Sequence, residues 1–166
     1  MKTILSDKLP RILKNKKNLE KNLKVKITHR GKEVIITGKP EDEYVAEKII
    51  DALNFGFPFA NAMLIKTEDF LFEIINIKDH TKRGDLKSVR ARLIGTQGQT
   101  LQNLTKLSES YFEIKDNQIG IIAPPENMGK SQEAVISIIR GSKQGNVYKF
   151  LEKNQNKPIG DLGLKE

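Results

Sequence analysis

Cysteine is absent from this 166-residue chain, tryptophan is absent too, and histidine occurs only twice. Without cysteine there is no disulfide scaffold, no thiolate metal site and no thiol nucleophile. The same absence fits a reducing, cytoplasmic interior. His29 and His80 have neither a second histidine nor a cysteine at ligand spacing, so the residues offer no metal centre. No Gly-x-Ser-x-Gly segment occurs to carry a serine nucleophile. Long apolar runs are also missing, none approaching the roughly 18 to 20 residues a membrane span requires. Met1-Lys2-Thr3-Ile4-Leu5 is followed by charge, so no secretory signal is expected.

What the chain has in excess is positive charge. Lys and Arg number 29 against 21 Asp and Glu, a net charge of +8, which favours a polyanionic partner. The excess is uneven. Residues 8 to 32 carry Lys8, Arg11, Lys14, Lys16, Lys17, Lys21, Lys24, Lys26, Arg30 and Lys32 against the single acid Glu20. A second cluster, Lys82, Arg83, Lys87, Arg90 and Arg92 against Asp85, runs directly into Gly95-Thr96-Gln97-Gly98. The first block reads equally as a solvated face or a nucleic-acid contact. The second, by its place beside that loop, reads as a contact.

The Gly-x-x-Gly segment alone is common, and its flanks give it meaning. Phe70 to Ile77 is an apolar, β-branched and aromatic run that predicts a strand. Asp85 caps a helix carrying Leu86, Val89 and Leu93. After the loop, Leu101, Leu104 and Leu107 recur at helical spacing, with Leu101 and Leu104 expected in the core. Tyr111–Ile114 and Ile119–Ile122 predict two strands around Lys115-Asp116-Asn117-Gln118, and Pro124-Pro125 stops the second. A helix is expected from about Ser131 to Arg140, with Ala134, Val135, Ile138 and Ile139 on one face. The order β-α-(Gly-x-x-Gly)-α-β-β-α is that of a type I KH domain, whose loop clamps a few single-stranded nucleotides. Glycines let phosphates approach the main chain, and the N–H groups opening the next helix face them. The expected RNA-binding residues are Arg90, Arg92, Ile94, Gly95, Thr96, Gln97, Gly98, Gln99, Thr100, Leu101 and Lys115. Arg90 and Arg92 would attract phosphates. Ile94, Leu101 and the Tyr111–Ile114 strand would floor an apolar groove, and that strand with Lys115 or Asn117 would read base edges. Taken singly, Ile94 and Leu101 each read more readily as core.

The first third echoes this pattern. Leu23–Ile27 and Val34–Gly38 around His29-Arg30-Gly31-Lys32 predict a hairpin, and Pro40-Glu41-Asp42 starts a helix carrying Val45, Ala46, Ile49, Ile50 and Leu53. The triplet Glu41-Asp42-Glu43 suits that helix's dipole. Upstream, Leu9–Leu13 matches the helix before the loop, but Lys14-Asn15-Lys16-Lys17 replaces Gly-x-x-Gly. The helical stretch that follows is shorter by about two turns. The fold class is therefore α+β, with two tandem type I KH-like units (β-α-α-β-β-α), the first degenerate and lacking Gly-x-x-Gly. The expected divisions are 1–66, including a bridging helix over Phe55 to Ile65; 67–153, the complete KH domain; and 154–166, a flexible tail. Five of the seven phenylalanines (Phe55, Phe57, Phe59, Phe70, Phe72) fall around the bridge and predict a rigid inter-unit core rather than a base-stacking surface.

An enzymatic reading has one foothold. Ile121 to Ser131 ends in Gly129-Lys130-Ser131 and nearly matches a nucleotide-binding phosphate loop. Pro124 stands where the first glycine is needed, and a proline cannot open a nest of N–H groups. The plainer expectation is a loop in which Gly129 turns and Ser131 caps a helix. The chain is expected to be no enzyme and to need no cofactor.

Several segments together resemble one family. Phe55-Gly56-Phe57-Pro58, Asn76-Ile77-Lys78-Asp79, Arg90-Ala91-Arg92-Leu93-Ile94-Gly95-x-x-Gly98-x-Thr100, and Gly141 to Glu152 resemble the archaeal relatives of Partner of Nob one, tandem-KH proteins of small-subunit ribosome maturation. The resemblance implies a first unit without the clamp and a second that holds RNA. It further implies binding near the 3′ end of 16S-type precursor rRNA within the pre-small ribosomal subunit, and partnership with the Nob one PIN-domain endonuclease. This chain departs from the family in its uncharged Thr96, Gln97, Gln99 and Gln102, where basic residues are frequent. A protein-interaction adaptor with weak RNA affinity is the alternative.

Overall fold

Two β-α-α-β-β-α rounds follow one another along the chain, and the computed structural model describes residues 1–155. The first comprises β1 (Lys2–Leu5), α1 (Leu9–Lys14), α2 (Lys16–Leu23), β2 (Lys26–Arg30), β3 (Glu33–Thr37) and α3 (Pro40–Phe55). Two short helical segments, α4 (Phe59–Ala62) and α5 (Leu64–Thr67), lead to the second round. That round comprises β4 (Leu71–Asn76), α6 (Leu86–Ile94), α7 (Gln99–Ser108), β5 (Tyr111–Lys115), β6 (Gln118–Ala123) and α8 (Pro125–Ile139), followed by α9 (Gln144–Lys153). Each round folds its strands into an antiparallel sheet with the last strand central, β1-β3-β2 and β4-β6-β5. The tandem KH-like α+β architecture expected from periodicity is thus the observed one.

Alternation explains the sheets. In β3, Val34 and Ile36 are buried while Glu33 and Thr37 are exposed; in β6, Ile119 and Ile121 face the helices. Helical spacing explains the helices that cover them. Leu86, Val89 and Leu93 on α6, Leu104 on α7, and Ala134, Val135, Ile138 and Ile139 on α8 are all buried in one cluster. Each large apolar side chain so removed from water contributes about 1.5–3 kcal/mol. Leu101 is only partly buried and packs at the margin of this cluster.

Several expectations are corrected. The segment over Phe55 to Ile65 is not one bridging helix: α3 continues to Phe55, Gly56 breaks it at φ +128°, and α4 and α5 follow. Helix α2 has 8 residues and α7 has 10, a difference of two residues rather than two turns. Helix α8 begins at Pro125, not Ser131, because a proline already carries the φ of a first helical turn and needs no N–H there. Gly129-Lys130-Ser131 is therefore mid-helix. Ser131 caps nothing: it is buried, its Oγ 2.8 Å from Ser110 Oγ, and Lys130 Nζ donates to the Asn154 carbonyl at 2.9 Å. A phosphate loop cannot form from residues wound into a helix. Of the tail, Asn154 and Gln155 are bonded to the body, Gln155 Nε2 donating to Leu107 O at 3.2 Å; its remaining residues lie outside the described ones. The leading strand implied by the first unit's β-α-α-β-β-α order is β1, which the residue pattern does not locate, and helix α9 has no counterpart in that pattern.

Strand β1 is held at its start by an ion pair. The Met1 ammonium lies 2.8 Å from Glu43 Oε2, and Gly38 N–H donates to the same carboxylate at 3.0 Å. The ammonium, with the Gly38 N–H, holds Glu43 below the ordinary glutamate range. This acid of the triplet Glu41-Asp42-Glu43 thus joins β1, the turn after β3 and α3.

Between the rounds lies an aromatic seam. Phe55 and Phe57 stack at 6.0 Å, and Phe72 from β4 meets them edge-on at 6.0 and 5.7 Å. Ile122 is buried in the first round's core, and Phe72 and Tyr111 pack against it. Gly120 in β6 makes room for the rings: a Cβ there would stand 2.8 Å from the Phe55 ring and 3.0 Å from Phe57. The expected inter-unit core is present, and one face of the second sheet supplies half of it.

Candidate nucleic-acid interface

Helix α6 ends where Gly95 takes φ +78° and ψ 172°, a conformation only glycine adopts without strain. A 3-10 turn over Thr96–Gly98 follows, with Gln97 at φ 56°, and α7 starts at Gln99. Gly98 N–H donates to Gly95 O at 3.1 Å, closing the turn. The two glycines do different work. At Gly95 a Cβ would lie 2.2 Å from Thr100 Oγ1 and 2.6 Å from Thr100 N, so its bareness lets α7 nest against the end of α6. At Gly98 the φ is +76° and nothing stands within 4 Å, leaving the main chain open to an approaching group. Thr100 is buried and serves the nesting, whereas Thr96, Gln97 and Gln99 are exposed on the loop. Among the described residues no side chain caps the N-terminus of α7; Gln99 N–H donates to Thr96 O within the turn, and the positive end of the helix dipole faces the loop.

The flanking cations divide. Arg90 donates through Nη1 to Asn117 Oδ1, linking α6 to the tip of the β5–β6 hairpin. Arg92 is occupied with the protein itself: Nη1 donates to Ile138 O at 2.8 Å and Nη2 to Ser142 O at 2.6 Å. Its guanidinium satisfies carbonyls at and beyond the end of α8 and fixes the approach to α9. Lys115 is not with the loop at all. It lies on the seam side of β5, with Nζ 3.3 Å from Asp7 Oδ2 and 3.4 Å from Asn54 O. Alternation along β5 sends Tyr111, Glu113 and Lys115 away from the helices, so of the expected pair Lys115 or Asn117 the structure brings Asn117, not Lys115, together with α6. Tyr111 leaves the expected groove floor for the same reason, and Phe112 is buried.

The apolar part of the floor survives in reduced form. Ile94 is 38% exposed, so it is not core and is free to meet a ligand. Leu101 and Ile114 are half-buried at the edge of the core. Among the described residues strand β5 pairs only with β6, so its other edge presents main-chain donors and acceptors. On the loop's other side, a depression of about 450 Å³ is lined by Ala91, Arg92, Gly95, Thr96, Gln99, Thr100 and Gln144. Gln144 opens α9, and nothing in the motif pointed to it; the spacing of Val147, Tyr148 and Leu151 is the signal that would have revealed that helix.

Among the described residues no helix is long and apolar enough to cross a membrane, and no group of three or more His, Cys, Asp or Glu is placed to hold a metal.

Residues 71–156 match the family described as eukaryotic-type KH domain (KH-domain type I), in its Pno1 second-domain form. A KH domain-containing protein of Methanocaldococcus jannaschii is 26% identical over 149 residues, covering 86% of this chain and 66% of that protein. The pre-rRNA-processing protein pno1 of Emericella nidulans is 31% identical over 111 residues, which cover 64% of this chain. The match spans only 43% of that fungal protein's length. Among solved structures, Dim2p from Pyrococcus horikoshii superimposes with a TM-score of 0.84 at 29% identity, covering 92% of this chain and 98% of that one. A chain of the a/eIF2alpha–aDim2p–rRNA complex from the same organism gives 0.83 at 29% identity, covering 92% of each chain. With the match across its second half and the same architecture over nearly its whole length, this chain belongs to the tandem type I KH proteins of the Partner of Nob one (Pno1) family.

Proposed function

We propose that this protein binds single-stranded rRNA in ribosome biogenesis, clamping it at Gly95-Thr96-Gln97-Gly98 near the 3′ end of the precursor small-subunit RNA. The reading is supported by relatives named for pre-rRNA processing and by a structural neighbour complexed with rRNA. The observation that carries it is the open, left-handed Gly98 at the start of an uncapped α7. A phosphate at that point reaches bare main chain at the positive end of a helix, and Cβ atoms do not hold it off. Ile94, Leu101 and Ile114 then offer apolar support to the adjoining bases, and the open edge of β5 offers polar groups to their edges. Arg90 contributes attraction at the groove's hairpin end. The protein acts by holding RNA in place rather than by chemistry, and presents the cut region to the Nob one PIN-domain endonuclease within the pre-small subunit. In this scheme residues 67–153 form the binding unit, and residues 1–66 the degenerate unit locked to it.

The test is binding of a labelled single-stranded fragment from the 3′ end of 16S-type rRNA at two salt concentrations. Wild type is compared with Thr96→Asp/Gln97→Asp, both exposed positions that leave the glycines intact. Two anions facing the phosphates should weaken binding at least about tenfold. A KH-scaffold adaptor remains the second reading, favoured by the neutral loop and by Arg92 being engaged internally. Equal binding by variant and wild type would establish it in place of the clamp.

A further inference from the structure

The lysine block of the first unit is sorted by the fold into two parts. Lys8 and Arg11 lean toward the seam, where their charge reaches Glu113 on β5. Lys14, Lys17, Lys21 and Lys24 are exposed on the other side. Helix α2 buries Leu19 and Leu23, and its exposed positions are Lys17, Asn18, Lys21 and Asn22, with Lys24 next in line. Lys17 and Lys21 fall at i and i+4 on one face, and Lys24, the left-handed residue that ends the helix, follows them. The single acid of the block does not neutralise it: Glu20 Oε2 accepts from Ile27 N–H at 2.8 Å, closing the end of α2 onto β2. Among the described residues, none of these lysines forms an ion pair.

Such a face works against the helix that carries it. Like charges at i and i+4 repel, and Lys16 and Lys17 in the first turn oppose the helix dipole, where no acid offsets them. An eight-residue helix has little stability of its own to absorb this. The arrangement becomes favourable when a polyanion lies along it.

We infer that the α1–α2 face of the first unit, through Lys14, Lys17, Lys21 and Lys24, is a second RNA contact that holds the phosphodiester backbone by side-chain charge. The inference rests on the RNA-binding reading given above. Topology places the turn Lys14-Asn15-Lys16-Lys17 where the second unit has its Gly-x-x-Gly loop, between the two helices of the same β-α-α-β-β-α round. Asn15 secures this turn by donating from Nδ2 to Arg11 O at 2.9 Å. The first unit thus keeps the helix pair and exchanges a main-chain clamp for long flexible cations. Its grip is diffuse, indifferent to sequence and steeply dependent on salt. The face suits phosphate better than protein, because protein interfaces favour aromatic residues and arginine and are poor in lysine. The exposed positions of α2 offer only lysine and asparagine.

The experiment uses the full chain and two single-stranded RNAs from the small-subunit 3′ end. One is about the four nucleotides a KH groove holds, extended to roughly eight for labelling, and the other is about 30. Wild type is compared with Lys17→Ala/Lys21→Ala, Lys17→Glu/Lys21→Glu and Thr96→Asp/Gln97→Asp, each checked by circular dichroism. Both lysine variants should leave the short RNA's affinity unchanged. The alanine pair should lower the slope of log affinity against log salt for the long RNA by about 1.4, at roughly 0.7 per phosphate contact. The glutamate pair should lower affinity further. A long-RNA slope equal to wild type in both lysine variants overturns the inference, and does so equally if the variants instead lose an acidic protein partner. Failure of the clamp reading is separate: it shows as unchanged short-RNA binding in Thr96→Asp/Gln97→Asp.

Discussion

At Gly95 a methyl group would collide with Thr100, whereas at Gly98 it would enter open space. Two identical residues in one motif therefore answer to different forces. Gly98→Ala should cost about 1–2 kcal/mol, the strain of holding an L side chain in left-handed backbone. Gly95→Ala adds the collision, roughly 1–3 kcal/mol more for overpacking against a buried neighbour. Urea unfolding of the two variants checks the order; equal midpoints would mean that the loop relaxes away from Thr100. The motif announced that glycine was needed at both places but not why, since the reason at Gly95 is a tertiary contact with Thr100. The same limit governs the cations. A sequence shows that Arg92 and Lys115 are charged and near the loop in number, but not that one is drawn to carbonyls after α8 and the other to Asp7.

Among the elements, those with a full hydrophobic period were readable and those with a partial one were not. Helices α6 and α7 and the β5–β6 hairpin have several inward residues each, so periodicity locates them within a residue or two. Strand β1 has only Ile4 turned partly inward, too little to register as alternation. The sequence pattern starts helix α8 six residues late because Gly129-Lys130-Ser131 resembles a loop, yet a buried polar set holds that turn: Ser131 with Ser110, and Asn127 Nδ2 donating to Ser108 O at 3.1 Å. Helix α9 depends on its attachment, and Arg92 is one of the ties. Arg92→Lys keeps the charge but cannot span two carbonyls with a planar fork. Charge-assisted bonds of this kind are worth about 1.5–3 kcal/mol each, so Arg92→Lys should lower the melting temperature while leaving the salt dependence of RNA binding unchanged. An unchanged melting temperature would show that the two carbonyls do not depend on the guanidinium fork.

For the whole molecule, the repeat visible in the sequence implied two units, and the cluster of phenylalanines implied that they are joined. The structure adds how: one face of the second sheet is covered by the first unit, with Phe72 edge-on to the stacked Phe55 and Phe57 and Ile122 buried in the first unit's core. The first unit's core takes in Ile122, with Phe72 and Tyr111 packed against it, while the helix-covered core of the second unit is made of its own residues, so the shared face couples the two. Unfolding should accordingly be a single transition, with calorimetric and van't Hoff enthalpies equal. Phe72→Ala should cost roughly 3 kcal/mol, the lower end for a phenylalanine truncation, and should lower that one transition rather than split it. Two resolved transitions in wild type would show the units to be independent. Gly120 draws a longer consequence from the same seam. The bare backbone in β6 and the rings of Phe55 and Phe57 are complementary parts of one joint, one part contributed by each unit. The two halves of such a protein can no longer be inherited or shuffled as modules. A unit transplanted from a relative must bring its side of the joint, and a drift from glycine to any larger residue at this position must be answered by a smaller ring across the seam.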